Sequence, residues 1–442
     1  MSSPHDISEG RIVRAILAGE WHDPQNGKAM LCPIRSIRIA PSLDGAEAEL
    51  IAPLNLGKHL AVVADDNTWA ALGRRVTRAL STTTQAITPV VLRAPHADEE
   101  TLADLTDRVR HADGLVAVGT GTINDLCKAV SAASGKPYAV FGTAASMNGY
   151  TTGTVSMFAA SGVKTTRQAV MPRGVFLDLE ILRRAPLRLT LAGLGDSICR
   201  TTAQVDWLLS HHLLGTDYTD TPYLLQAEDE EAMFTTAGRL PSGDLEAYAV
   251  LCRILILMGV GTILTGTTQY GSGSEHLTSH AIDMLAGRRH PGSMHGEQTG
   301  IATLSMARLQ ASILAQSKPP TITPTPFAED AILRRFGPAG PACLEEFRRK
   351  RLDAKAAEAL NRRLENIWPE LSGQLRRKQR RLDTLEAVMT IAGAPMTAED
   401  LGLDGTLYRQ AILHAREIRN RYSILDLAGD SGLLEPFVAS QT

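Results

Sequence analysis

Cysteine is scarce and scattered. Cys32, Cys127, Cys199, Cys252 and Cys343 show no CxxC spacing, which is how reduced cytosolic thiols are distributed and gives no disulfide framework. Charge of one sign is also lacking. A formal net charge of -3 removes the reason to expect nucleic acid or an acidic membrane as partner. Long apolar runs are missing as well, since the nearest, Tyr248 to Leu264, is interrupted by Arg253, Gly259 and Gly261, so no membrane span is expected. The first twenty residues mix acids and bases without an apolar core or a small-residue cleavage site. No secretory signal is therefore expected, and the predicted location is cytoplasmic.

What is present is enough chain for more than one core. At 442 residues two domains are the natural expectation. Residues 1–57 read as a lead-in, a short helix followed by an irregular apolar stretch. From Lys58 the pattern becomes regular. The run KHLAVVADDNTW reads as a buried strand ending in Asp65 and Asp66, and an amphipathic helix follows. The alternation then repeats as strand 89–92, helix 99–110, strand 114–118, helix 123–134 and strand 138–142. Such alternation predicts a parallel sheet covered by helices, an α/β Rossmann-like domain over 58–185. After a strand-like segment at 174–182 the composition changes near Pro186, and 186–442 reads as an all-α domain. Two basic runs in it, FRRKR and RRKQRR, have Glu345, Glu346, Asp353, Glu358, Glu365 and Asp383 around them at helical intervals. They read as solvated helix faces.

Ligands of such sheets sit beyond the carboxyl ends of the strands. Two loops fall there. In VAVGTGTINDLCK, Gly119 and Gly121 follow a strand and open a helix, so backbone N–H groups and the positive helix end can meet a pyrophosphate. The second loop, FGTAASMNGYTTGTVS (141–156), is rich in small hydroxyl residues and reads equally well as an ordinary strand-to-helix turn. Asp65 stands where an acid could bond a ribose hydroxyl.

The densest chemistry lies between Gly271 and Gly300. His276 and His280 are four positions apart, one turn of helix on one face, and His295 follows a broken loop to open another helical run. Imidazole is the commonest nitrogen ligand of a catalytic divalent ion, and a site that keeps a position open takes three protein ligands. A carboxylate from elsewhere is needed, and Asp196 in LAGLGDSICR is the candidate. Spacing alone admits either His276 or His280.

Taken in order, GTGTINDLCK, TAASMNGYTT, GDSICR, and SEHLTSH with MHGEQTG resemble the glycerol-1-phosphate dehydrogenases of the dehydroquinate synthase-like superfamily, which also holds glycerol dehydrogenases and iron-containing alcohol dehydrogenases. The resemblance covers roughly Lys58 to Gln310, and more loosely Arg416 to Leu425. It implies a Rossmann-like domain followed by an all-helical one, NAD or NADP, and a divalent metal: zinc foremost, with nickel, iron or manganese also fitting. Carried over by motif, Gly119, Gly121, Thr122 and Asp125 belong to the pyrophosphate loop, joined by Asp65 at the ribose. Thr143, Ser146 and Tyr150 line the nicotinamide and substrate side. Asp196, His276 and His295 match the metal ligands, with His280 one turn along as a proton relay. Lys128 and Lys164 match lysines near cofactor and substrate; each reads equally well as a surface lysine. The resemblance further implies a small phosphorylated substrate and a homo-oligomer.

Two residues depart from that pattern. Thr120 stands where the family's loop commonly has the middle glycine of GGG, and adds a Cβ where backbone should approach phosphate. Asn148 stands where the family generally has an aspartate that contacts substrate. An amide can donate and accept hydrogen bonds, but it carries no charge and cannot act as a base. The substrate is thereby left more open than the reaction: dihydroxyacetone phosphate and sn-glycerol 1-phosphate, another small phosphorylated, phosphonate or polyol compound, or a lyase reaction like that of dehydroquinate synthase.

Overall fold

The computed structural model describes residues 9–159 and 164–441. They form two compact units, the first of residues 9–159, 164–197 and 220–267, the second of 198–219 and 268–441.

The first unit is built on a six-stranded parallel sheet. Its strands are β1 (Ser36–Ala40), β2 (His59–Asp65), β3 (Ala86–Leu92), β4 (Gly114–Gly119) and β5 (Tyr138–Gly142), and, beyond a two-stranded antiparallel ribbon of β6 (Thr154–Phe158) and β7 (Lys164–Gln168), β8 (Gly174–Asp178). The spatial order is β1-β8-β5-β4-β2-β3. Strands β4, β5 and β8 are buried along their whole length. This explains why they read as apolar runs without alternation. Val62, Val116, Val118, Phe141 and Phe176 pack with Leu72, Val76 and Leu80 in one cluster, each side chain contributing about 1.5–3 kcal/mol by leaving water. Pro89 is tolerated because β3 is an edge strand and pairs only with β2.

The order carries a functional consequence. The chain runs from β2 outward to β3, then returns to β4 on the other side of β2. The direction of winding therefore reverses between β2 and β4, and the crevice at such a switch point is where open α/β sheets take their ligands. Asp65 ends β2 and Gly119 ends β4.

Several expectations need correction here. The ordered fold does not start at Lys58: β1 lies in the lead-in and pairs in register with β8, Ser36 opposite Gly174 through Ala40 opposite Asp178. Its five residues were too few to stand out from their surroundings. The small-residue loop after β5 leads into the ribbon strand β6, not into a helix. Arg253, Gly259 and Gly261 do not break the apolar run around them. Leu245–Thr265 is one continuous helix, capped by Asp244 through the Ala247 N–H (2.9 Å), and by length and composition alone it could cross a membrane. Most of it is buried within the structure. Arg253 is accommodated by an ion pair to Asp229 (2.6 Å), and residues 220–267 belong to the unit that holds the sheet.

The second unit is helical. Arg200–Leu214, Ser274–Ala286, His295–Leu314 and Ala354–Lys378 are among its helices. Its core joins Leu209, Leu277, Ile282, Met306, Leu364 and Trp368.

Candidate active site

In the first unit the turn after β4 opens the helix Gly121–Ser134, with Thr120 as its N-cap. A Cβ added at Gly121 would meet nothing within 4 Å, whereas one at Gly119 would strike Ile123 at 2.7 Å. The turn therefore has open space over its second glycine and none over its first. Thr120, the departure noted above, turns its hydroxyl to Ser146 (2.6 Å). The added side chain thus ties the pyrophosphate-type turn to the following loop. Thr122 and Asp125 stand half-buried in the first turns of the helix. Asp65 caps the first turn after β2, its Oδ1 accepting the Thr68 N–H at 2.8 Å while the Asp65 N–H donates to Thr68 Oγ1 at 2.9 Å.

The loop 143–153 is held from several sides. The Thr143 N–H donates to Gly119 O at 3.2 Å, Tyr150 Oη donates to Ala144 O at 2.8 Å, and Thr151 Oγ1 to Ile256 O at 2.8 Å. Tyr150 is buried, and that burial pushes its hydroxyl well above the ordinary value. Two helix positions make room for the loop backbone. A Cβ at Gly193 would stand 1.9 Å from Ala145 O, and one at Gly259 would stand 2.0 Å from Thr151 Oγ1. Asp196 lies three residues after Gly193, is buried, and accepts the Asn148 N–H on Oδ2 at 2.9 Å.

Lys128 is not a surface lysine. It is fully buried, and its Nζ donates to Gly149 O (2.7 Å), Thr152 Oγ1 (2.9 Å) and Thr154 O (3.0 Å). Lys164 opens β7 opposite Phe158; its side chain lies outside the described residues.

In the second unit, His276 sits in the first turn of Ser274–Ala286, and His295 opens His295–Leu314. Their ring centroids are 5.0 Å apart, and the ring of His280 stacks on His295 at 5.3 Å. The hydrogen bonds settle which nitrogen each histidine offers. His276 Nδ1 faces Glu275 Oε1 at 3.0 Å, and an ionised carboxylate only accepts, so Nδ1 carries the proton. Burial raises the Glu275 carboxyl, but the bond and charge of His276 and the Gly273 N–H outweigh it and hold the group below its ordinary value. His295 Nδ1 faces Ser279 Oγ at 2.8 Å, and Ser279 donates its one proton to Gln298 Oε1 at 2.7 Å. The Gln298 amide is oriented by its own donation to Asp283 Oδ1 at 3.1 Å. Ser279 must therefore accept from His295, so Nδ1 carries the proton there as well. In both histidines the lone pair falls on Nε2, the nitrogen that a metal takes when the other is fixed by an acceptor.

Cys199, Glu275 and His276 form a group of potential donors within the second unit. Its carboxylate is already engaged by Gly273 N–H (2.6 Å), Thr202 Oγ1 (2.9 Å) and His276, so its role is to orient the histidine. Beneath it, Asp206 accepts Ser274 N–H (2.7 Å) and Ile424 N–H (3.0 Å), and burial with nearby Glu275 pushes it up to about 7. Sequence reading missed Glu275, Ser279 and Gln298. Ser279 at i+3 from His276 was open to discovery by helical spacing; Glu275, adjacent to His276, was not, because neighbouring residues on a helix do not normally face each other.

The switch-point turn in a parallel sheet, together with a helical unit that carries oriented histidines, defines a two-domain dehydroquinate synthase-like dehydrogenase fold. A model of iron-containing alcohol dehydrogenases matches residues 38–186. The chain is 30% identical over 277 residues to the glycerol-1-phosphate dehydrogenase [NAD(P)+] of Thermococcus kodakarensis, covering 62% of this chain and 77% of that one. It is 32% identical over 256 residues to that of Pyrococcus furiosus, covering 58% and 72%. Among solved structures, glycerol dehydrogenase from Schizosaccharomyces pombe superposes with a TM-score of 0.58 at 16% identity, covering 91% of this chain and 89% of that one. The chain belongs to the glycerol-1-phosphate dehydrogenase family, and is an NAD(P)-dependent oxidoreductase of that family.

Proposed function

We propose that the protein reduces dihydroxyacetone phosphate to sn-glycerol 1-phosphate, with Asp196, His276 and His295 holding a divalent cation and the turn after β4 holding the dinucleotide. The observation that carries this reading is the pair of histidines whose Nδ1–H groups are both held by acceptors, which puts the lone pair of each ring on Nε2, the nitrogen a metal takes. Asp196 supplies the third donor and the only negative charge of the set. A His/His/Asp set suits zinc, with nickel, iron and manganese as competitors that supply and geometry decide between.

When bound, the cation and the nicotinamide supply Lewis acidity at the substrate oxygen and a hydride acceptor or donor at its carbon. The remaining work falls to the chain. Gly119, Gly121, Thr122 and Asp125 receive the pyrophosphate at the helix N-terminus. Asp65 bonds the ribose, and its charge favours NAD by repelling a 2′-phosphate. Thr143, Ser146 and Tyr150 shape the nicotinamide side, Asn148 faces the substrate, Lys164 is assigned to the substrate by its family motif alone, and His280 relays the proton. The unit that holds the sheet is thus the dinucleotide-binding one, and the protein works as a cytoplasmic homo-oligomer.

Asn148 favours a second reading, in which the substrate is another small phosphorylated, phosphonate or polyol compound, since an amide lacks the charge of the family's aspartate. The test is oxidation of NADH and, separately, NADPH by the metal-loaded protein, with dihydroxyacetone phosphate against dihydroxyacetone as control. Turnover with the phosphate alone, and the correct product chirality, is the expected result. No turnover with metal and dinucleotide both bound would overturn the substrate, and conversion without any change in total reduced cofactor would point to the lyase reaction.

A further inference from the structure

Lys128 is fully buried on the helix Gly121–Ser134. An ammonium has three protons, and three protein acceptors lie within 3.0 Å of Nζ: Gly149 O, Thr152 Oγ1 and Thr154 O. None of them is a carboxylate. Asp125, one turn earlier, is the charge that favours the cation from nearby. Taking a cation out of water without a contacting counter-ion is costly, and an apolar side chain of the same length would be cheaper to bury. What the cation adds is grip, because hydrogen bonds from a charged donor are about twice as strong as neutral ones. The segment it grips, Gly149 to Thr154, consists of glycines, threonines and one tyrosine, with few long side chains of its own to anchor it.

Gly149 follows Asn148, whose N–H donates to Asp196 Oδ2. We propose that Lys128 is a positioning residue: it ties residues 149–154 to the helix after β4, and so sets where Asn148 stands and how the Asp196 carboxylate is turned. The proposal rests on the reading above of Asn148 as substrate-facing and Asp196 as a metal ligand. Because every Nζ proton is already accepted by the chain, Lys128 acts through the loop and does not itself touch substrate.

The test is Lys128→Met, which keeps the length and apolar stem and removes the donors, studied in the full-length protein. In the metal-free protein, hydrogen exchange of the amides over 146–153 should accelerate at least tenfold while the strands keep their protection. In the cobalt-loaded protein the visible spectrum should shift and cobalt affinity should fall at least tenfold, with NADH affinity within twofold of the parent. With dihydroxyacetone phosphate, kcat should fall more than KM rises. Unchanged loop exchange together with an unchanged cobalt spectrum would overturn the proposal. If Lys128→Met does not fold, Thr152→Val, which removes one acceptor, carries the same exchange and cobalt readouts with smaller shifts expected, and parental values in it would overturn the proposal. Failure of the functional reading would appear separately, as a parent protein that neither retains cobalt nor turns over dihydroxyacetone phosphate, and the exchange measurement still decides the role of Lys128 in the loop.

Discussion

Ser279 makes one hydrogen bond as donor and one as acceptor, and the direction of both is set by Gln298. Losing its hydroxyl removes the acceptor that holds the His295 proton on Nδ1. Ser279→Ala should therefore weaken metal retention by roughly 10–100-fold, the usual effect of removing an outer partner of a ligating histidine, while His295→Ala should abolish metal retention and activity together; metal content after dialysis measures both. Full activity in the His295 variant would remove it from the ligand set. Lys128 makes a prediction with the opposite sign to an ordinary ion pair. Burial, opposed by Asp125, lowers its ammonium from 10.5 to about 8, so between those values the unfolded chain binds more protons than the folded one. This group thus lowers stability fully below about pH 8, and the penalty is relieved as pH rises towards 10.5. In chemical denaturation, the parent protein should gain stability relative to Lys128→Met across that window, and parallel pH profiles would show that burial does not lower the Lys128 ammonium.

At the scale of elements, the loop 143–153 is shaped by the helices packed on it. Gly193 lies within Leu187–Ile198 and Gly259 within Leu245–Thr265, and at both positions loop backbone or a loop hydroxyl occupies the place of a Cβ. Neither glycine adopts a positive φ. Alanine would be the better helix former by about 1 kcal/mol, yet Gly193→Ala must displace the Ala145 carbonyl, which is backbone and cannot rotate away. Overpacking of this kind typically costs about 1–3 kcal/mol, so a net loss of stability is expected. A fall in Tm with reduced metal affinity in Gly193→Ala is the expected outcome, and a stabilised variant would show that the loop moves freely. The elements themselves were largely legible: the strands from His59 to Gly142 and the helices between them followed from hydrophobic runs and their spacing. What escaped was short or conditional. Strands β1, β6 and β7 have five residues each and mix polar with apolar positions, whereas the equally short β5 and β8 are apolar runs buried throughout, and a mixed window of that length is too short to declare a period.

At the scale of the whole molecule, metal binding couples to stability. A ligand bound only by the folded state adds RT ln(1 + [L]/Kd), about 2.7 kcal/mol at a hundredfold excess over Kd. The histidines are already oriented by Glu275 and Ser279 within a packed helical unit, so the chelated protein should remain folded and the metal should raise Tm without changing helix content. Calorimetry and circular dichroism with and without chelator measure both; unfolding on chelation would make the metal a structural one. The described residues hold one helix apolar enough to cross a membrane, and its burial beside Asp229 and Arg253 in the first unit accounts for its composition as core.

The sequence by itself determined the alternation that makes the sheet, the helical composition after Pro186, the residue types of the donor set and the four motifs that mark the family. These are local properties, read from spacing and side-chain chemistry. Only the tertiary structure decided that winding reverses between β2 and β4, that Lys128 lies under the loop and not at the surface, and that each histidine keeps its proton on Nδ1. The reason is that a proton's place depends on which side chain the folded geometry turns towards it, the neighbouring Glu275 for His276 and Ser279 from the preceding helix for His295, and a lysine's burial depends on what folds over it.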